Sequence, residues 1–252
     1  MDRLRVISYT VRDAAENMAL DEAIAVAVGA GRSPPTLRLY GWDPPAVSIG
    51  YFQEVEAEVD LDFCEAEGIS VVRRLTGGGA VLHASGELTY SFAVSDMDPA
   101  VPQDIQGSYM RICSPIVSAL RDLGAPACFK PINDIEVSGR KVSGNAQTRR
   151  FGAVLQHGTL LLDIDAGLLG ALRANSVKLS ERGITAHAQR VTTLSRELGR
   201  RVTRGELSWA VKRRFKENFG CKLDAGQPTG EELCRAQALA DRYRSVEWLF
   251  RR

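Results

Sequence analysis

Strand-forming segments crowd the middle of this chain, and helices follow them. Between Ile69 and Asp165 the stretches "ISVV", "AVL", "GELTYSFAV", "NDIEVSGRKVSGNAQ" and "GAVLQHGTLLLDID" all carry strand patterns. One long amphipathic helix interrupts them, "DIQGSYMRICSPIVSALRDLG", in which Pro115 predicts a kink or a reset. Upstream, "LRVISYT", "TLRLYGW" and "AVSIGYF" read as strands, the last two parted by the turn signal "DPP". "DAAENMALDEAIAVAVGAG" reads as a helix with Asp13 as its cap and Gly29 and Gly31 at its end, and "LDFCEAEG" as a short one. From about residue 166 the pattern turns helical: "AGLLGALRAN", "RGELSWAVKRRFKENFG" and "GEELCRAQALADRY". Strands in the middle and helices at the end predict an α+β domain rather than alternating parallel units.

The chain has 252 residues and a formal net charge of +1, so no strong global field points to nucleic acid or to a membrane surface. No apolar run approaches the ~20 residues of a membrane helix. The start, "MDRLRVISYTVRD", lacks the apolar stretch of a signal peptide. Five cysteines (Cys64, Cys113, Cys128, Cys221 and Cys234) are scattered without a CxxC pair, which suggests neither zinc nor a disulfide framework. The expected location is the cytoplasm.

"RRLTGGGAVLH", Arg73 to His83, places three glycines between two strand patterns. Either it is a tight turn, or it is a loop whose backbone N–H groups meet an anionic ligand, glycine allowing close approach. Arg73 and Arg74 point to opposite faces of a strand, so at most one turns toward such a ligand. It is neither a P-loop nor a dinucleotide fingerprint, since GK[ST] and the GxGxxG spacing are missing.

"NDIEVSGRKVSGNAQTRR" reads as a hairpin about a Ser-Gly turn. Strict alternation puts Lys141, Ser143 and Asn145 on one face and Val142 on the other, which is either a solvated face or a polar site. Asp134 with Asn133 is either a strand start or a magnesium site that also touches substrate phosphates.

Together "RRLTGGGAVLH", "NDIEVSGRKVSGNAQTRR" and "LQHGTLLLDID", in this order, resemble the lipoate–protein ligase and octanoyltransferase family. "NMALDEAI", "VSIGYFQ", "GITAHAQRVTTL" and Glu247-Trp248 are similar to it as well, so the resemblance runs from about Asn17 to Trp248. It implies residues 1–252 as a single catalytic domain with a helical C-terminal part. The implied fold is a mixed, mainly antiparallel sheet flanked by helices, shared with biotin–protein ligases. The implied activity attaches a lipoyl or octanoyl group to one lysine of a lipoyl carrier domain. The glycine loop (Thr76, Gly77, Gly78, Gly79, Ala80) would wrap the acyl group, with Arg73 or Arg74 facing its charged end. Ser143, Gly144, Asn145 and Ala146 would complete the acyl or adenylate site.

Two chemistries share this resemblance. Ligases activate a free acid with ATP and Mg2+ to an acyl-adenylate, with the lysine matching Lys141 at the acyl carbonyl and phosphate, and the pair matching Asn133 and Asp134 at adenylate and metal. Transferases take octanoate from acyl carrier protein, one branch through a cysteine thioester. Cys128, in "GAPACFKPIND", stands close to that nucleophile's place, with Lys130 and Lys141 as cations that would lower its pKa. "NDI" and "RGITAHAQRVTTL" lean to the ligase, which is the expected function, with lipoate or octanoate as substrate. The octanoyltransferase is the alternative, and a non-catalytic acyl-carrier binding protein a third reading. Many such ligases use an accessory domain or chain for the first half-reaction, so either this chain needs one, or a rearranged terminal segment suffices, or it is a transferase that needs none. His83, with Ala84 where the family commonly has an acid, and His157 with Gly158 in "QHGT" are each either catalytic or structural. "RRFKENFG" is a solvated helix face or a contact for an acidic carrier, and His187 is given no role.

Overall fold

The computed structural model describes residues 1–173 and 190–251. Among them run strands β1 (Arg3–Arg12), β2 (Thr36–Trp42), β3 (Ala46–Ile49), β4 (Ser70–Arg73), β5 (Val81–His83), β6 (Glu87–Ser95), β7 (Ala127–Lys130), β8 (Asp134–Val137), β9 (Arg140–Arg150), β10 (Ala153–Leu161) and β11 (Lys222–Gly226). The helices are α1 (Ala14–Gly29), α2 (Val55–Glu58), α3 (Leu61–Ala66), α4 (Ile105–Asp122), α5 (Leu194–Leu198), α6 (Arg204–Phe219), α7 (Gly230–Arg244) and α8 (Val246–Leu249). A 3-10 turn covers Ala166–Ala171.

Eight strands form one sheet in the order β11-β1-β2-β6-β10-β9-β8-β7, and β4-β3-β5 form a second. β11, β1 and β2 run parallel, and the large sheet is antiparallel from β2 to β7. The fold is therefore α+β with a mixed, mainly antiparallel sheet flanked by helices.

β6 lies at the centre of the large sheet and explains its layering. Leu88, Tyr90, Phe92 and Val94 enter a core shared with α4 and α6, where Phe215 and Phe219 pack 5.4 and 5.3 Å from Phe92. Alternation predicts an exposed second face, but Thr89, Ser91 and Ala93 are buried too. α1 covers that side, with Leu20, Ile24 and Val28 against Ala93 and Leu155. α1 is in turn covered by α7, where Glu22 meets Arg242 and Tyr243. A helix buried on both sides carries charge inward only with partners, and Asp21 and Glu22 each have one. α6 and α7 start in capping boxes, Thr203 with Glu206 and Thr229 with Glu232.

The structure departs from the sequence pattern in four places. α4 runs unbroken through Pro115. "AGLLGALRAN" gives only the 3-10 turn, followed by a bridge from Leu172 to Val59. The C-terminal part is not wholly helical, because β11 extends the sheet beside β1, with Arg3 opposite Lys222. The last difference is a bulge in β9: Ser143 faces Ile135 while Lys141 faces Glu136, so Val142 is the extra residue. "GITAHAQ" and His187 lie outside the described residues.

Candidate active site

The bulge reassigns the polar face of the hairpin. Lys141 shares the outer face with Glu136 and Asp134, whereas Ser143 pairs with core residue Ile135 and is fully buried. Asn145 stands in one row with Gly158 and Tyr90. It accepts from Tyr90 Oη at 2.6 Å and donates from Nδ2 to the Asn133 carbonyl at 2.9 Å. Asn133 returns the bond, Nδ2 to the Asn145 carbonyl. A Cβ at position 158 would lie 2.2 Å from Asn145 Oδ1, so Gly158 makes this row possible. The in-phase trio of the sequence is thus split: Lys141 and Asn145 line the site, Asn145 also bracing β9, and Ser143 is buried.

A cavity of about 110 Å³ opens beside Lys141. Arg74, Gly78, Gly79, Ala80, His83, Asn133, Lys141, Gly144, Asn145, Ala146, His157 and Gly158 line it, together with Met18, Tyr40, Trp42, Ser48, Val81, Thr89 and Thr159. A second, more apolar cavity with Leu82, Leu161, Ile164, Leu169, Leu172 and Val191 shares Lys141, Gly144, Ala80, Val81 and Thr159 with the first. Lys141 therefore stands at their junction. Its side chain lies over Gly144, where a Cβ would meet Cε and Nζ at 2.8 Å, and its ammonium pairs with Asp134 at 2.7 Å. Arg73, Thr76, Gly77, Cys128, Asp134 and Ser143 do not line the first cavity.

Neither arginine offers its guanidinium to a ligand. Arg73 is buried and donates to the carbonyls of Gly50, Tyr51, Gln53, Trp248 and Leu249, tying α8 to the turn after β3. Arg74 donates to Thr76 Oγ1, to the carbonyl and hydroxyl of Ser48, and to the carbonyls of Gly77 and Gly79. All its partners are neutral, and burial brings its pKa down to about 10.

Arg74 nonetheless decides how the glycine loop presents itself. C=O and N–H are antiparallel in a trans peptide. With the Gly77 and Gly79 carbonyls drawn onto Arg74, the N–H groups of Gly78 and Ala80 point away from it. Neither has an acceptor among the described residues. The result is a pair of free donors on a cavity-lining loop above a buried cation, an arrangement suited to an oxyanion. The loop also needs Gly50, where a Cβ would lie 2.0 Å from the Gly78 carbonyl oxygen. Gly50→Ala is expected to cost about 1–3 kcal/mol by overpacking against backbone. Gly77→Ala, with open space around its Cβ, should stay within about 0.5 kcal/mol. Paired thermal melts check this.

The histidines are held on both ring nitrogens. His83 Nε2 is 2.8 Å from Ser48 Oγ and Nδ1 is 2.8 Å from Glu87, while the ring stacks on Trp42 at 3.9 Å. His157 Nε2 is 2.7 Å from Thr76 Oγ1 and Nδ1 is 3.3 Å from Asp21. Asp21 also takes Arg38, Tyr40 and Ser91. Burial alone would raise its pKa, but Arg38, His157 and Ser91 outweigh that and hold the carboxyl below its usual range. Burial, with smaller contributions from Arg74 and His83, keeps His157 below the usual histidine range despite Asp21. Sequence reasoning missed Asp21, Ser48 and Glu87. Their signal was charge inside a helix that is otherwise buried and polar residues inside strand patterns.

Asn133 and Asp134 do not fit a metal. The Asn133 amide is turned into the backbone of β9, and Asp134 already holds the Lys141 ammonium. Among the described residues no three His, Cys, Asp or Glu side chains cluster as an all-protein metal site would. Of the thiols, Cys64, Cys113 and Cys221 are buried and raised by that burial, the first two to about 11 and about 12. Cys128 and Cys234 are exposed. Cys234 sits on α7, while Cys128 sits on β7 opposite Glu136, which in turn faces Lys141. No helix among the described residues is long and apolar enough to cross a membrane.

Residues 13–216 match the family model of the lipoyl protein ligase A/B catalytic domain. The chain is 38% identical to an Octanoyltransferase LipM of Kyrpidia tusciae over 100% of both chains, and 40% identical to that of Symbiobacterium thermophilum over 98% of both. Among solved structures it resembles one from an archaeal lipoylation system, a bi-partite lipoate protein ligase and its E2 lipoyl domain from Thermoplasma acidophilum. The TM-score is 0.87, with 31% identity over 100% of this chain and 98% of that one. Full-length relatives named as octanoyltransferases overturn the expectation of an ATP-dependent ligase. The "NDI" signature that favoured it is accounted for by the Asn133–Asn145 brace and the Asp134–Lys141 pair. The family match and the cavity around Lys141 also set aside a non-catalytic carrier-binding protein: the chain is an enzyme and belongs to the lipoyl protein ligase A/B catalytic domain family.

Proposed function

We propose that the protein is an octanoyltransferase that moves an octanoyl group from a carrier thioester, the acyl carrier protein, to the lysine of a lipoyl domain by way of Cys128. The observation that carries this reading is the row Cys128–Glu136–Lys141, three residues opposite one another across β7, β8 and β9 on the face that bears the cavity. An exposed thiol thereby shares a surface with the cation at the cavity junction.

The chemistry takes two steps. In the first, the Cys128 thiolate attacks the thioester carbonyl carbon, the carbon–sulfur bond to the donor breaks, and the donor leaves as a thiol with the proton that Cys128 gave up. In the second, the acceptor lysine's neutral amine attacks the Cys128 thioester, the new carbon–sulfur bond breaks, and the amine proton returns to the Cys128 sulfur. Each step passes through a tetrahedral oxyanion. The N–H groups of Gly78 and Ala80 and the Lys141 ammonium supply positive charge for it. The octanoyl chain lies in the cavity against Met18, Tyr40, Trp42 and Val81, and Gly144 leaves Lys141 room to lie flat at its mouth.

The test offers octanoyl-acyl carrier protein and a lipoyl domain without ATP, and follows both proteins by intact mass. The expected result is octanoylated lipoyl domain, with a Cys128 thioester accumulating when the acceptor is withheld. Modification that appears only with free acid, ATP and Mg2+, and releases AMP, would end this reading.

A further inference from the structure

Two hydrogen-bonded relays of one design meet on Arg74. One runs Glu87–His83–Ser48 and the other Asp21–His157–Thr76. In each, a buried carboxylate takes the Nδ1 proton of a histidine, and Nε2 faces a hydroxyl. In each, that hydroxyl oxygen also receives an Arg74 N–H, from Nη1 at 3.2 Å for Ser48 and from Nε at 3.1 Å for Thr76. Arg74 has donors only and a carboxylate accepts only, so each hydroxyl accepts from Arg74 and each Nδ1–H donates to its carboxylate, which leaves every hydroxyl one proton and one lone pair to meet Nε2.

Viewed singly, Glu87–His83–Ser48 has the nucleophile, base and orienting acid of a hydrolytic triad. The duplication decides against that reading. A threonine and a serine from different elements carry the same relay, and what they share is Arg74. With its last two N–H bonds Arg74 holds the Gly77 and Gly79 carbonyls, which turns the Gly78 and Ala80 N–H groups away from it on a loop that lines the cavity.

We infer that Ser48, Glu87, Asp21 and Thr76, with the two histidines, are positioning residues that clamp Arg74 and so preorganise the glycine loop for the tetrahedral step. The inference rests on the octanoyl-transfer reading for its assay. Clamping from two sides suits a buried cation with no carboxylate partner: rotation of the guanidinium would free two loop carbonyls at once.

The test is a double-mutant cycle on octanoyl transfer. Thr76→Val keeps shape and removes the hydroxyl, Ser48→Ala and Glu87→Gln address the other relay separately, and thermal melts select folded variants. Each single change is expected to lower kcat by about tenfold with KM for the donor within about twofold, because the loop acts on the oxyanion. Thr76→Ser should restore kcat. In an Arg74→Lys background, already slow, the same changes should cost less than about twofold, since they act through Arg74. Costs that multiply in that background, or an unchanged kcat in Thr76→Val, would overturn the inference. So would labelling of Ser48 by a fluorophosphonate, which would mark it as a nucleophile. A wild-type protein that fails to transfer octanoate at all retires the functional reading instead, so the two failures are distinguishable.

Discussion

Lys141→Met is expected to lower octanoyl transfer by about a hundred- to a thousand-fold while leaving the melting temperature nearly unchanged. The two halves of that expectation come from different facts. Among the described residues Lys141 is the one ammonium on the walls of both cavities, so its charge reaches whatever acyl carbonyl sits at their junction. Methionine keeps the stem that lies over Gly144 and removes the charge. For the fold, Lys141 matters little: its side chain is 38% exposed, and an ion pair at that exposure contributes about 0–1 kcal/mol. Asp134 keeps a side chain that is 28% exposed, so its carboxylate still meets solvent although the Oδ1 that faces Lys141 is buried. Rates of lipoyl-domain octanoylation by intact mass, beside melts of both proteins, check the pair of outcomes. A variant that transfers at near wild-type rate would remove Lys141 from the chemistry, and one that unfolds would make it a structural residue.

What the sequence shows and what it conceals divide along the range of the interaction. α1, β2, β3, the β8–β9 hairpin and β10 are readable because periodicity and turn residues are local signals. β7 and β11 are not, since a short edge strand exists only through its neighbour. The bulge at Val142 defeats alternation for the same reason: the extra residue is defined by Ile135 and Glu136 on the facing strand. The glycine loop and Lys141 stand out as residue types, but the arginines mislead. Arg73 and Arg74 look like ligands for an anion, yet their acceptors are neutral carbonyls and hydroxyls, for Arg73 some 175 or 176 positions away at Trp248 and Leu249. Asp21, Ser48 and Glu87 gain meaning only when α1, β3 and β6 bring them to histidines from other elements.

Cys128→Ser is expected to abolish transfer, by about three orders of magnitude or more, and to leave no acyl adduct on the enzyme. Three observations single out this thiol. The buried Cys64, Cys113 and Cys221 are held as thiols by burial, Cys234 belongs to the helix layer over α1, and Cys128 alone shares a face with Lys141. Two strand spacings put it about 10 Å from Lys141, so thiol and ammonium do not touch one carbonyl in this arrangement. β7 is the outermost strand of the sheet and has only four residues. Cys128 therefore has to approach the cavity mouth from this edge strand, and the Asn133–Asn145 brace holds the chain just beyond it. Serine fits the exposed position without cost to the fold, but its hydroxyl lacks the nucleophilicity of a thiolate at neutral pH. The decisive measurement is intact mass after incubation with octanoyl-acyl carrier protein alone. Wild type should gain one octanoyl group that hydroxylamine removes, and Cys128→Ser should gain none. Full transfer by Cys128→Ser would mean that the lysine attacks the donor thioester directly, with Lys141 and the glycine loop as the whole of the machinery.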